Sequence, residues 1–422
     1  VSPLSAETLP RPVVDADYVT VSEPEARLGQ LLFYDPILSG NRNIACATCH
    51  HPRFATSDGL SLGLGEGGRG LGPDRMAEPA SLPEQLIPRN SPALFNLGHR
   101  DIRVMFHDGR IEKDESLPSG FRTPLGEEMA QGFSGLLSAQ TMFPVLSADE
   151  MAGHYGENDI SIAVRQGLIT GPGGAWELIA QRVAAIPAYA RMFEEVYPEI
   201  AAGRPVGFTD ISNAIAAFIV FEWRSDDSPF DAVLRGEAEF GAQAAAGFAL
   251  FAGEAGCITC HSGPLLTDQG FHAMADPQLG PGKAARFETH REDFGRFRVT
   301  GREEDLYAFR TPSLRNVAVT GPWGHAGAYS DLAAYLRHHA APGRDEPPSP
   351  VLPPLETGQP VFDLPQEQGA AIMMARTVPD HALSEAEIAM IVAFLETLTD
   401  PASIEGRLGI PDSVPSGLPV DR

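Results

Sequence analysis

The length, composition and charge of the chain argue against several classes of protein. Its 422 residues, of which 43% are hydrophobic, suffice for two or three domains with buried cores and argue against a disordered chain. Its 56 acidic residues outnumber 31 basic ones, and the net charge of −25 argues against nucleic acid or anionic lipid as a partner and favours a basic protein.

Residues 1–20, which begin VSPLSAETLP, are predicted to form an N-terminal extension. They hold neither a basic stretch nor an apolar core, so we expect a chain that is either cytoplasmic or has already lost an export signal. No uncharged apolar run of roughly 18 residues follows, and no membrane span is predicted.

The first predicted element is a helix that leads into a cysteine motif. In EARLGQLLFYD, Leu28, Leu31 and Leu32 recur at helical spacing. The stretch NIACATCHHP then contains the pattern Cys-x-x-Cys-His. Residues 60–90 are rich in Gly and Pro and are predicted to form a loop directly after this motif.

The same layout returns in the second half of the chain. Phe248 and Phe251 indicate a helix in AAAGFALFAGEAG, and EAGCITCHSG repeats Cys-x-x-Cys-His. The two copies therefore indicate an internal repeat of two units. Further on, residues 341–366 are Pro-rich and are predicted to be an irregular insertion.

The last predicted element is a helix in LSEAEIAMIVAFLETLTD. Ser384 and Glu387 have the spacing of a capping box at its start. Its apolar stripe consists of Ile388, Ile391, Leu395 and Leu398.

The four cysteines of the chain, all within the two motifs, are Cys46, Cys49, Cys257 and Cys260. One zinc ion could bind all four, but the pairs lie much farther apart than the roughly 15–20 residues of a zinc ribbon. Two reversible disulfides would leave His50 and His261 without a role. Covalent haem explains both histidines, because two thiols attach to the vinyl groups and the next histidine binds the iron.

The sequence therefore predicts a mainly α fold with two cytochrome c-like domains, each with one covalently bound c-type haem. Strand signals are sparse, and 43 Gly and 37 Pro predict long loops. We expect the domains at residues 21–232 and 233–405, followed by a C-terminal tail, residues 406–422. Because haem is attached to such motifs outside the cytoplasmic membrane, a periplasmic protein is expected.

Several longer stretches resemble the bacterial di-haem cytochrome c peroxidase/MauG family. They are LGQLLFYDPILSGNRNIACATCH, PRNSPALFNLGHRDIRVMFHDGR, DSPFDAVLRGE, GCITCHSGPLLTDQGFH and FRTPSLRNVAVTGPWGHAGAYSDL, in the family's order and across roughly residues 25–400. The resemblance implies a peroxide-reacting haem in the first domain, an electron-transfer haem in the second and a calcium ion between them.

The resemblance also implies the axial ligands of both irons. His50 and His261 match the family's proximal histidines. Where many members carry a histidine that blocks the first iron, this chain has Leu64, so we expect an open, five-coordinate first haem. The family's sixth ligand of the second haem lies fourteen residues after the histidine of its HxG motif, which leads from His325 to His339. The alternatives to His339 are His338, Met373, Met374 and Met390.

Catalytic residues follow from the same resemblance. The family's glutamate lies in a VEM-like motif, matched here by Glu150 in SADEMAG, and would relay a proton during peroxide reduction. His107 stands at the position of a family tryptophan in FHDGR and is the second candidate catalytic residue. Either Phe106 or Trp323 would then relay electrons between the haems.

The calcium ligands implied by the resemblance are the side chain of Asn90 and the backbone carbonyls of Thr320 and Pro322. Oxygen atoms of this kind suit Ca²⁺. MauG also carries a surface tryptophan two residues before its second-haem cysteine, where this chain has Ala255. Oxidation at a distance would then use Trp223 or another surface aromatic, while a position in the core is the alternative for each tryptophan.

Three functions remain open at this point. The first is a periplasmic peroxidase that reduces H₂O₂ with electrons from a small c-type cytochrome or another redox protein. The second is a MauG-like oxidase that uses H₂O₂ to modify a partner protein, which Leu64 and His339 favour and Ala255 disfavours. The third is a non-catalytic di-haem electron carrier, which would require a second strong ligand on the first iron.

Overall fold

A computed structural model of the protein describes residues 9–279, 292–343, 346–354 and 366–422. Across these ranges the chain is mainly helical, as predicted, and its few strands are two or three residues long. Part of the predicted Pro-rich insertion, residues 341–366, lies outside the described residues.

The α-helices of the described residues are α1 (Glu23–Tyr34), α2 (Cys46–Cys49), α3 (Leu136–Thr141), α4 (Asp159–Arg165), α5 (Ala175–Ala184), α6 (Pro187–Val196), α7 (Pro198–Ala201), α8 (Phe208–Glu222), α9 (Pro229–Leu234), α10 (Ala242–Ala252), α11 (Phe297–Thr300), α12 (Leu332–Ala340), α13 (Gln366–Met374), α14 (Glu385–Glu396) and α15 (Pro401–Glu405).

Small antiparallel sheets accompany the helices. The strands are β1 (Gly68–Arg69) paired with β2 (Met76–Ala77), β4 (Ile111–Lys113) between β3 (Val104–Met105) and β5 (Phe121–Arg122), and β6 (Phe271–His272) paired with β7 (Phe309–Arg310). Strands this short cannot cover a core, so the packing of the protein rests on its helices.

The first hydrophobic core forms around the crossing of α1 and α8. Ser22 caps α1, and Leu28 and Leu32 on its inner face are fully buried. The two helices touch at Gly29, where a Cβ atom would collide with the carbonyl oxygen of Ala214. Only glycine allows the two backbones to approach this closely.

The second core has the same construction. The helices α10 and α14 cross at Gly247, where a Cβ atom would collide with the carbonyl oxygen of Met390. Phe248 and Phe251 are buried in this core. In both halves, therefore, the helix that precedes Cys-x-x-Cys-His packs through one glycine against a later helix, which gives the predicted repeat a structural basis.

The predicted C-terminal helix is confirmed as α14. Ser384 accepts a hydrogen bond from the Glu387 N–H, and the Glu387 carboxylate accepts one from the Ser384 N–H at 2.8 Å. The predicted apolar stripe is buried in the second core, where it consists of Ile388, Ile391, Leu395 and Leu398.

The C-terminal tail, residues 406–422, returns to the first core. The backbone N–H groups of residues 407–409 donate to the buried carboxylate of Glu222 at 2.6 to 3.0 Å. The hydroxyl of Thr48, inside the first cysteine motif, donates to Asp421 at 2.6 Å. The tail thus connects the end of the second half to the first motif.

The division into domains stays a prediction. The predicted boundary after residue 232 falls within α9, whose Phe230 is fully buried in the second core. Among the described residues, no helix combines the length and the apolar character that crossing a bilayer requires.

Candidate functional site

The first cysteine motif forms a short helix that ends at a fixed histidine. Cys46 and Cys49 bound α2, and His50 follows as its C-cap residue. The Nδ1 atom of His50 lies 3.0 Å from the Thr56 carbonyl oxygen, so the Nδ1–H group donates a hydrogen bond to this oxygen. This hydrogen bond leaves Nε2 as the metal-binding nitrogen. Burial lowers the pKa of His50, so the imidazole is neutral, as a metal ligand must be.

The thiols of the chain are unpaired and partly buried. Burial raises the pKa of both Cys46 and Cys49 to about 12. The four cysteines form no disulfide in this structure, contrary to the disulfide hypothesis. In the described ranges, the only cysteine within a group of potential metal ligands is Cys260, beside Asp268 and His272, so the four-cysteine zinc site is excluded too.

Glu150 is brought to the first cysteine motif by a tight turn. It lies in a single π-helical turn, Ala148–Ala152. A Cβ atom on Gly65 would collide with the carbonyl oxygen of Asp149 in this turn. The pKa of Cys49 is raised first by burial and further by nearby negative charges, Glu150 among them. The charge of the carboxylate therefore acts on the motif, and the catalytic role of Glu150 stays a prediction.

The loop that follows the first motif presents apolar side chains. Leu60, Leu62 and Leu64 are fully buried, and Leu62 and Leu64 pack with Leu86. Leu64 therefore offers no iron ligand at the position where the resemblance places a blocking histidine.

A single buried arginine holds this loop in place. The guanidinium of Arg75 donates to the carbonyl oxygens of Leu64, Gly65, Gly68 and Gly70, at 2.6 to 3.0 Å for the last three. Arg75 is only 3% exposed, and the carbonyl groups of Leu64 and Gly65 are buried, so no water can replace the guanidinium at these two groups. A glycine-rich chain has high conformational entropy, and this clamp fixes its path.

Replacing Arg75 with methionine should destabilise the first half of the protein. Several buried carbonyl groups would lose a charged donor, which we expect to cost about 3 kcal/mol and to lower the thermal midpoint by roughly 6–12 °C. Thermal unfolding followed by circular dichroism measures this. The matched control is Arg69→Met, because the Arg69 side chain is 59% exposed and lies 3.9 Å from Glu78. Equal thermal midpoints for Arg75→Met and Arg69→Met would show that Arg75 does not stabilise the loop.

The second cysteine motif places its histidine opposite another histidine. The Nδ1 atom of His261 lies 3.1 Å from the Leu266 carbonyl oxygen, which again leaves Nε2 for a metal. The ring of His339, on α12, has its centre 6.4 Å from that of His261. Burial and the nearby His339 lower the pKa of His261 to about 4, so both rings can be neutral together.

This separation fits two imidazoles on opposite sides of one metal ion. Metal–nitrogen bonds are about 2 Å long, and the centre of an imidazole lies roughly 1 Å from its nitrogens, so two such ligands are separated by about 6 Å. The donor set suits iron in a haem, which takes two axial imidazoles.

The alternatives to His339 are placed differently. The Nε2 atom of His338 lies 3.2 Å from the Ala275 carbonyl oxygen, so this nitrogen is already hydrogen-bonded to the backbone. Met374 is 86% exposed and Met373 is 39% exposed. The fold thus brings His339, and not His338, against His261, and the ligand assignment stays a prediction.

The sequence of the first half decides the family. Residues 23–239, just over half of the chain, match the family model for the di-haem cytochrome c peroxidases.

The chain belongs to the di-haem cytochrome c peroxidase family.

Individual relatives of this family span most of the chain. The methylamine utilization protein MauG of Methylorubrum extorquens is 29% identical over 406 residues, which cover 94% of this chain and 84% of that protein. The cytochrome c551 peroxidase of Pseudomonas aeruginosa is also 29% identical, over 81% of this chain and 80% of that protein.

Solved structures show the same fold. A MauG-like protein associated with microbial copper homeostasis superposes with a TM-score of 0.58 and 24% identity, over 96% of this chain and 97% of that chain. At this identity the likeness concerns the fold alone.

In this member of the family, His107 lies where the two halves meet. Its ring lies 6.0 Å from that of Phe309, which stacks on His325 at 3.8 Å. The N–H of Arg310 donates to the His107 carbonyl oxygen at 2.8 Å. This cluster joins residues of both halves, and the catalytic role of His107 stays a prediction.

The two predicted relay residues have separate surroundings. The Arg110 guanidinium lies 4.5 Å above the ring of Phe106. The indole N–H of Trp323 donates to the Val317 carbonyl oxygen at 2.8 Å. Neither relay role is tested by these contacts. The suggestion that Trp223 is a surface aromatic is wrong, because it is 1% exposed within the first core.

Two of the three predicted calcium ligands meet in the structure. The Asn90 amide donates to the Pro322 carbonyl oxygen at 2.9 Å, while the Thr320 hydroxyl donates to Val317. To bind Ca²⁺, the Asn90 side chain would have to turn its oxygen, and not its NH₂ group, toward the ion. The calcium site stays a prediction.

Sequence reasoning missed three residues of this region. Arg75 clamps the glycine-rich loop, Phe309 stacks between His107 and His325, and Arg89 forms a buried ion pair with Asp293 across the two halves. Arg89 and Phe309 lie within stretches that resemble the family, which was the available signal. No local sequence pattern indicated the role of Arg75, because its partners are backbone carbonyl groups, which every residue has.

Proposed function

We propose that the protein is a periplasmic peroxidase that reduces H₂O₂ at a haem on the first Cys-x-x-Cys-His motif, with electrons relayed through a haem on the second. Its family membership makes it an oxidoreductase of the haem peroxidase type and implies two c-type haems. The first haem would be held by Cys46, Cys49 and His50. The second would be held by Cys257, Cys260, His261 and His339.

The proposal rests on a difference between His50 and His261, namely whether a second histidine faces the ring. His339 faces His261, with ring centres 6.4 Å apart. Among the described residues, no ring contact joins His50 to a second histidine, and the position at which the resemblance places a blocking histidine is the buried Leu64. This difference supports one iron with a vacant position and one with two protein ligands.

The reduction of H₂O₂ to two water molecules consumes two protons and two electrons. When bound, the first haem supplies the iron at which the peroxide is reduced. Glu150 would accept the proton of the inner peroxide oxygen and return it to the outer oxygen, which leaves as water. The buried leucines Leu60, Leu62 and Leu64 would keep bulk water away from this transfer.

A histidine as sixth ligand affects the direction of electron flow. Methionine ligation raises the potential of a haem, so histidine in its place gives a lower potential. A second haem of low potential gives electrons readily to the first. The electron source is a small c-type cytochrome or another redox protein, and the strongly acidic chain favours a donor with a basic surface.

The second candidate is a MauG-like oxidase that uses H₂O₂ to modify a partner protein. Leu64 and His339 favour it, because the first iron needs no prior opening and the second is suited to losing electrons. Ala255, 6% exposed, stands where MauG has its surface tryptophan, so any exit route for oxidising equivalents would differ.

The oxidised protein tests the proposal directly. We expect one high-spin and one low-spin ferric signal by electron paramagnetic resonance, because only the second iron would have two strong ligands. Two low-spin signals would instead support an electron carrier. Adding stoichiometric H₂O₂ to the fully oxidised protein separates the two enzymatic functions. A rapid and lasting optical change without any reductant favours the MauG-like oxidase, whereas continued H₂O₂ consumption coupled to the oxidation of a reduced donor favours the peroxidase.

A further inference from the structure

A cluster of potential metal ligands lies beside the turn that carries Glu150. One ligand atom each from Glu84, Asp149 and His154 lies within 4.8 Å of the others. The resemblance to the family did not indicate these three residues. Asp149 lies in the turn Ala148–Ala152 itself, and His154 lies two residues after the end of this turn.

His154 is oriented as a metal-binding histidine is. Its Nδ1 atom lies 3.4 Å from the Glu157 carboxylate, and its backbone N–H donates to the same carboxylate at 2.8 Å. Its Nε2 atom is buried and has no hydrogen-bond partner among the described residues. A histidine that donates one ring N–H to a carboxylate presents the other nitrogen as an electron pair, which is how histidines bound to metal are commonly held.

The carboxylate next to it is also held in place. The Gln85 amide donates to one oxygen of Asp149 at 2.6 Å. The Glu157 carboxylate, in turn, accepts a hydrogen bond from Asn41 at 2.7 Å. Supporting residues of this kind fix the ligands of metal sites in advance.

We propose that Glu84, Asp149 and His154 bind a divalent transition-metal ion such as Zn²⁺. One neutral imidazole and two carboxylates are ligands that Zn²⁺ accepts, whereas an oxygen-only set would favour Ca²⁺. The bound ion would link the turn to the loop that contains Glu84. Any influence of this ion on the proton relay by Glu150 rests on the proposed peroxidase function, but the binding of the metal does not.

Zinc binding to the haem-loaded protein tests this site. We would dialyse the protein against Zn²⁺ in excess Ca²⁺, which fills any oxygen-only site, and measure bound zinc by elemental analysis. We expect one tightly bound zinc ion that is lost in His154→Gln and in Asp149→Asn. Glu157→Gln should weaken binding by about 10- to 100-fold, because it removes only the residue that orients the imidazole.

The matched control is Tyr155→Phe, since Tyr155 adjoins His154, is 64% exposed and offers no metal ligand. It should bind zinc as the wild type does. The haem spectrum and circular dichroism of each variant establish that it is folded. Zinc binding that survives both His154→Gln and Asp149→Asn, or a wild type that binds no zinc, would overturn the proposal. Because the readout is bound metal, its failure leaves the peroxidase proposal intact.

Discussion

Replacing Glu150 with glutamine is expected to reduce peroxide turnover by about 10²- to 10⁴-fold, the usual contribution of a positioned general acid–base group. Glutamine keeps the size and the hydrogen-bonding ability of the side chain but cannot take up and return a proton. The charge of the carboxylate acts on Cys49 of the first motif. The rate would be measured as H₂O₂ consumption with a chemically reduced electron donor.

The spectra of this variant are as informative as its rate. Because no predicted iron ligand is altered, the high-spin and low-spin ferric signals should both remain. Glu128→Gln is the matched control, since Glu128 is an exposed carboxylate at the end of a separate 3₁₀ turn, Gly126–Glu128. If Glu150→Gln and Glu128→Gln consume peroxide equally fast, Glu150 is not the proton relay.

Replacing His339 with methionine is expected to raise the potential of the second haem. Methionine is the ligand that raises haem potentials in cytochromes c, and axial ligands tune these potentials over a range of about 0.8 V. We expect a rise on the order of 100 mV, together with a changed low-spin signal. Potentiometric titration followed by optical spectroscopy measures the shift.

The neighbouring histidine supplies the control for this variant. His338→Gln should leave the potential and the low-spin signal nearly unchanged, because the Nε2 atom of His338 is already hydrogen-bonded to Ala275. The reverse outcome, a large shift in His338→Gln and none in His339→Met, would show that His338 is the ligand. His339→Ala adds a third measurement, since losing the ligand should convert the low-spin signal to high-spin.

Local patterns predicted a large part of this structure. The helices α1, α10 and α14 follow from apolar spacing and, for α14, from the Ser384–Glu387 capping box, because helix formation depends on residues a few positions apart. The two cysteine motifs likewise contain within five residues everything that covalent haem attachment requires. Their chemistry could therefore be predicted before any fold was known.

Partners distant in sequence could not be derived in this way. His338 and His339 are adjacent and chemically identical, and only the packing of α12 directs the His339 ring to His261 and the His338 ring to a backbone carbonyl. The counting rule that favoured His339 came from the family resemblance and not from the residues themselves.

The sequence by itself determined that the chain has two Cys-x-x-Cys-His units on a mainly helical frame, and the family resemblance added the prediction that Leu64 replaces a blocking histidine. The tertiary structure alone decided that Arg75 clamps the loop carrying Leu64, that the turn with Glu150 packs on that loop, and that the C-terminal tail returns to the first motif. The physical reason is the distance along the chain. A motif consists of residues that are neighbours in sequence, whereas these contacts form only when backbone carbonyls and side chains from distant segments are buried together.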